Sequence, residues 1–172
     1  MPSQSVTATS LLVLGEQPLT SCAQRVRAPV VLDTNVVLDW MLFADPSVAA
    51  LSAAIGQRQV DWVATPTMRG ELADVLRRGL AARRGVQPEQ VLARWDAHVT
   101  LVASPPPLPD GLALRCTDPD DQMFLELAHA CGARWLISRD RALLRLARRA
   151  APLGIAITVP QCWSAPLQPC WP

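Results

Sequence analysis

Carboxylates recur at one kind of place in this 172-residue chain, the end of an apolar run. Asp33 follows Val30-Val31-Leu32, Asp140 follows the run Trp135 to Arg139, and Asp118, Asp120 and Asp121 open the segment beyond a proline-rich connector. Glu71 lies in the second turn of a helix that begins where another apolar run, residues 61–65, stops. Carboxylates held within a few ångströms of one another repel, raise one another's pKa and oppose folding unless a cation lies among them. An all-oxygen set of this kind suits a hard divalent ion, Mg2+ or Mn2+, held by one or two direct carboxylates and water. Helix capping is the competing explanation. Asp118 before Pro119 reads as an N-cap with Asp120 and Asp121 near the positive helix end, and Ser138 reads as a cap with Asp140 in the first turn. Asp33, at the end of a buried strand, gains little from being a cap alone, and capping does not account for Glu71, past the first turn.

The elements that must carry these acids alternate. Residues 29–33, 61–65, 99–103, 133–138 and 155–159 are short apolar or β-branched runs that predict strands. Between them, residues 45–57, 65–84, 88–98, 118–131 and 140–150 have helical patterning, with Asp45-Pro46 and Thr65-Pro66 as start signals. Fully apolar strands interleaved with amphipathic helices predict an α/β fold, a three-layer α/β/α sandwich around a central parallel sheet. Sites in open parallel sheets form outside the carboxyl ends of the strands, where the acids fall. At about 100° per residue, Met68, Leu72, Val75, Leu76, Gly79 and Leu80 share a core face with Glu71 at its border. The same projection puts Met123, Phe124, Leu127 and Cys131 inward, sets Asp121 at the border and turns Glu126 away.

Composition narrows the chemistry further. The net charge is +1, yet all sixteen basic residues are arginine and lysine is absent. Lysine-dependent phosphate loops, Schiff-base enzymes and pyridoxal enzymes are thereby excluded. Near-neutrality excludes a polybasic binder but conceals a cancellation: residues 31–65 and 110–133 carry −3 and −4, and residues 66–94 and 134–172 carry +3 and +5. Five cysteines without a C-x-x-C pair fit neither a zinc site nor a disulfide framework and read as cytosolic thiols. His98 and His129 have no partner at helical spacing and read as surface or packing residues. The apolar stretch 10–15 is too short to span a bilayer and lacks a basic flank, so neither a membrane partner nor a secretory signal is expected. Residues 1–28 read as a weakly ordered extension and 164–172 as a tail.

Four segments, VVLDTNVVLDW (30–40), TPTMRGELADVLRR (65–78), CTDPDDQMFLELAHACGARWLISRDRALLRL (116–146) and IAITVP (155–160), together resemble the PIN domain. More narrowly they are similar to bacterial toxin components of toxin-antitoxin systems related to VapC-type ribonucleases. The resemblance covers roughly residues 29–163. It implies that Asp33, Glu71, Asp121 and Asp140 are the four metal-binding acids of the catalytic site, with Asn35 and Ser138 as supporting polar residues. Asp118 matches an acid common in the subfamily and is a fifth candidate ligand, whereas Asp120 is the least suited to touch metal. The implied reaction is Mg2+- or Mn2+-dependent hydrolysis of RNA phosphodiester bonds in the cytoplasm, leaving a 5′-phosphate and a 3′-hydroxyl. The implied partners are an RNA substrate and a cognate antitoxin, and a homodimer is compatible with the resemblance.

Arginine placement has its own reading. Arg69 and Arg78 on one helix, and Arg139 and Arg141 on either side of Asp140, are candidates for holding the RNA backbone, since the guanidinium fork suits phosphate. Arg83, Arg84, Arg148 and Arg149 serve equally well as solvated faces of amphipathic helices. Two rival functions remain. A haloacid-dehalogenase-like phosphatase needs an aspartate where this chain has Asn35, and usually a lysine. A PIN-like module that binds RNA or protein without cleavage would not require all four acids.

Overall fold

The computed structural model describes residues 27–112 and 114–165. The expected N-terminal extension and C-terminal tail lie almost wholly outside the described residues. Strand β1 (Ala28–Leu32) has no polar side chain, and Val30 and Val31 are fully buried, as a central strand covered on both faces requires. It pairs in parallel with β2 (Val60–Ala64) on one side and β4 (Trp135–Ile137) on the other. Strands β3 (Thr100–Leu101) and β5 (Ala156–Thr158) complete a five-stranded parallel sheet in the order β3-β2-β1-β4-β5. The chain moves outward from β1 in one direction and later, from β4, in the other. Under the right-handed crossover rule this order puts helices on opposite faces, and it reverses between β1 and β4, where sheets of this kind form a crevice outside the strand carboxyl ends.

Among the described residues, seven α-helices connect or flank these strands. Helix α1 (Thr34–Leu38) follows β1 without a loop, because the Asp33 carboxylate accepts the Asn35 backbone N–H and caps it. A π-helical turn over Asp39–Phe43 ends at Ala44, which adopts left-handed backbone. Helices α2 (Ala49–Gly56), α3 (Pro66–Val75) and α4 (Pro88–His98) follow, and α3 starts with the Thr65 hydroxyl accepting the Met68 N–H and with Pro66 at the first position. Helices α5 (Gln122–Ala130), α6 (Arg141–Leu144) and α7 (Ala147–Ala150) complete the set. Among the described residues no single helix is long and apolar enough to cross a membrane.

Three expected boundaries shift for identifiable reasons. The helix expected over 65–84 ends at Val75 and loosens into a π turn over Leu76–Leu80, because Gly79 has φ of 94°, outside the helical range. The helix expected from Asp118 begins only at Gln122: Asp118 accepts the Asp120 N–H in a tight turn of its own instead of capping. The helix expected over 140–150 is two single turns, α6 and α7. Trp163, just before the expected tail, is core. It is 5% exposed and packs edge-to-face on Trp135 with centroids 5.9 Å apart.

Candidate active site

Asp33 is the innermost acid, 2% exposed at the carboxyl end of β1. Its Oδ2 accepts the Ser138 hydroxyl at 2.7 Å, and its Oδ1 accepts the Asn35 backbone N–H at 3.3 Å. Burial pushes its pKa up, the charge of Asp140 adds to this, and the hydrogen bonds from Ser138 and Asn35 oppose it. Ser138, fully buried just past β4, is not the helix cap that its sequence position suggests, since Asp140 takes that place. Its Oγ also accepts the Asp140 backbone N–H at 2.8 Å, so one hydroxyl sets the spacing of two acids. Asp140, expected within the first turn, instead sits at the N-cap of α6, where its Oδ1 accepts the Ala142 N–H at 2.5 Å.

Glu71, half-buried on α3, reaches the same edge. Its Oε2 accepts the Thr34 hydroxyl at 3.0 Å. Burial raises its pKa first, the charges of Asp33 and Asp120 raise it further, and Thr34 and Arg78 pull it back. Asp121, half-buried before α5, is the most perturbed of the set. Burial and then the charges of Asp33, Asp140, Asp118 and Glu71 push its pKa up to about 7. Asp33, Asp121 and Asp140 thus lie within one another's electrostatic reach, and Glu71 within reach of Asp33 and Asp121, although the four come from separate segments. Asp118 joins from the rim, while Asp120 faces Glu71 in a groove of about 560 Å3 that also presents Arg78 and Met123.

Two arginines have other partners than those expected. Arg139 does not face open solvent beside Asp140: its Nε donates to Asp39 Oδ2 at 2.5 Å and its Nη2 to Ser47 Oγ at 2.6 Å and Asp45 Oδ2 at 3.4 Å. Two carboxylates a short way downstream of Asp33 outcompete any solvent-side role. Arg69 forms a two-pronged ion pair with Asp96 and lies 5.9 Å from the Trp95 ring centroid, on the α3–α4 side. Arg78 and Arg141 remain exposed, and only Arg78 lines the groove with Glu71. Glu126, expected to point away, is half-buried and lines a second cavity of about 350 Å3 beneath the Pro107–Pro109 connector, next to Cys116.

Thr34 and Asp39 escaped the sequence reading. Thr34 carries a signal in retrospect, a hydroxyl wedged between Asp33 and Asn35 at a strand end. Asp39 has none, because it lies in an apolar stretch whose partner is 100 residues away.

The donor set fits a hard divalent ion in kind: carboxylate oxygens only, with the most central acids pushed toward neutrality by burial and by one another. Among the described residues no three acidic, histidine or cysteine side chains form a closed ligand cage. Asp33, Glu71, Asp121 and Asp140 would have to draw together on the ion, which would offset their mutual repulsion.

Comparison with known proteins agrees with the fold. No curated protein matches the chain. Among solved structures, the crystal structure of VapBC2 from Rickettsia felis, bound to a DNA fragment from its promoter, has a similar fold. Its TM-score is 0.53 at 11% identity, over 75% of this chain and 96% of that one. A family model for the PIN domain matches residues 29–142, a span that runs from β1 through Asp140 and takes in all four acids. The chain belongs to the PIN domain family.

Proposed function

We propose that this protein is a Mg2+- or Mn2+-dependent endoribonuclease and the toxin component of a type II toxin-antitoxin system. The observation that carries the reading is the electrostatic coupling of Asp33, Glu71, Asp121 and Asp140 at the β1/β4 crevice, with Asp121 raised to about 7. PIN-domain nucleases generally use divalent metals, and these four carboxylates, with Asp118 at the rim, are the residues that would hold them. A bound divalent ion supplies an activated water and charge neutralisation at a scissile phosphate. Ser138 orients Asp33, Thr34 orients Glu71, and Arg78, facing the same groove, binds an RNA phosphate. Arg141, exposed beside Asp140, is a second phosphate contact. The printed description of VapBC2, a complex bound to promoter DNA, is the support for a cognate antitoxin as partner; a cytoplasmic setting and a homodimer belong to the same proposal.

The test is incubation of the purified protein with single-stranded RNA in Mg2+ or Mn2+. Cleavage leaving 5′-phosphate and 3′-hydroxyl ends, abolished by EDTA, is expected. Sequencing RNA ends after brief induction in cells then identifies the substrate. Intact RNA under all metal conditions would favour a PIN-like module that binds without cleaving.

A further inference from the structure

Asp33 caps the first residue of α1 and Asp39 closes its last turn. Two consecutive residues of the loop after β4 grip these two ends: Ser138 donates to Asp33 at 2.7 Å, and Arg139 donates to Asp39 at 2.5 Å. The links form a closed ring that runs from Asp33 along α1 to Asp39, across to Arg139, back one residue to Ser138, and across again to Asp33. The second prong of Arg139 fastens the ring to the next turn of chain through Ser47 and Asp45. The ring carries two of the site acids: Asp33 is one of its members, and Asp140 hangs from it by a backbone N–H held by Ser138.

We infer that Arg139 is a positioning residue, one that fixes the Asp33-to-Asp140 geometry by clamping the β4–α6 loop onto both ends of α1 and that does not bind RNA. The inference rests on the nuclease reading for its catalytic consequence, but the clamp acts on the acids whether or not RNA is the substrate. Removing the guanidinium frees the loop at one of its two fastenings and leaves the Asp39 and Asp45 carboxylates facing each other uncompensated. Ser138 is then the loop's remaining side-chain link to α1. Outer partners of this kind typically change metal affinity or rate by about ten- to a hundredfold.

The test compares Arg139→Gln, Asp39→Asn and the double variant with wild type in the full-length chain. Mn2+ affinity is read by electron paramagnetic resonance of the free ion, and kcat and KM are read on single-stranded RNA. Both single variants should weaken Mn2+ binding and lower kcat about tenfold, with KM for RNA unchanged. The double variant should be no worse than Arg139→Gln, since Asp39→Asn removes a link that Arg139→Gln has already removed. Arg139→Lys, which keeps the charge but not the fork, should fall between. A rise in KM confined to the Arg139 variants, with Asp39→Asn behaving as wild type, would overturn the inference and make Arg139 an RNA contact. Additive losses in the double variant would also overturn it. Folding is checked by circular dichroism, and if Arg139→Gln does not fold, Asp39→Asn alone still decides through Mn2+ affinity. Wild-type protein that binds Mn2+ but cleaves no RNA would refute the nuclease reading while leaving the affinity comparison to judge the clamp.

Discussion

Replacing Asp121 by asparagine should stabilise the metal-free protein. Asp121 is half-buried and surrounded by the charges of Asp33, Asp140, Asp118 and Glu71, which together with burial raise its pKa from the usual 3.8 to about 7. A carboxyl raised in the fold binds its proton more tightly there than in the unfolded chain. Its stability is therefore complete below pH 3.8 and is lost as pH rises toward 7. Taken at face value, that interval corresponds to about 4 kcal/mol. Because the side chain is still partly open to water, screening reduces this to about 1–2 kcal/mol. For a domain of this size the gain is a rise in Tm of roughly 3–8 °C. Asparagine matches the protonated acid in shape and charge, so the advantage of Asp121→Asn should be absent near pH 4, partial near pH 5 and full by pH 8. Thermal unfolding followed by circular dichroism in EDTA, repeated across that range, measures it. Adding Mn2+ should raise the Tm of wild type and raise that of Asp121→Asn less, because one ligand is gone. An advantage independent of pH would refute repulsion as its cause. No Mn2+-dependent shift in wild type would refute the shared ion.

Other substitutions separate the roles of individual groups. Ser138→Ala removes the hydrogen bond to buried Asp33 and the acceptor for the Asp140 N–H, so kcat on RNA should fall about ten- to a hundredfold with KM little changed. Arg78→Ala, at the groove shared with Glu71, should raise KM and flatten its dependence on salt, as measured by RNA cleavage at several KCl concentrations. Trp163→Ala should cost about 3 kcal/mol in urea unfolding, because a ring that is 5% exposed leaves a cavity against Trp135.

Much of the site was legible because the fold translates strand ends into site positions. Asp33 and Asp140 stand just past apolar runs, where a buried strand must end, and helical projection places Glu71 and Asp121 at the border of a core face. The α/β class followed from Val30, Val31 and Leu136, apolar residues in strands covered on both faces. Details set by long-range partners were not legible. Arg139 beside Asp140 has the same local sequence whether it meets RNA or Asp39, and only the packing of α1 against the β4–α6 loop decides. Asp118-Pro119 carries a good capping signal, yet the turn that Asp118 closes on the Asp120 N–H delays the helix to Gln122. Gly79 offered a weaker signal that proved decisive, since its left-handed backbone ends the regular helix that the surrounding periodicity predicts.

In the proposed function, the four carboxylates at the β1/β4 crevice perform metal-dependent RNA cleavage. Single-turnover cleavage of single-stranded RNA at saturating Mn2+, comparing wild type with Asp33→Asn and Asp121→Asn, tests it most directly. Metal-dependent cleavage by wild type, lowered at least a thousandfold, or about 4 kcal/mol in activation free energy, in both folded variants is the predicted result. Cleavage that survives both substitutions, or proceeds equally well in EDTA, would contradict it.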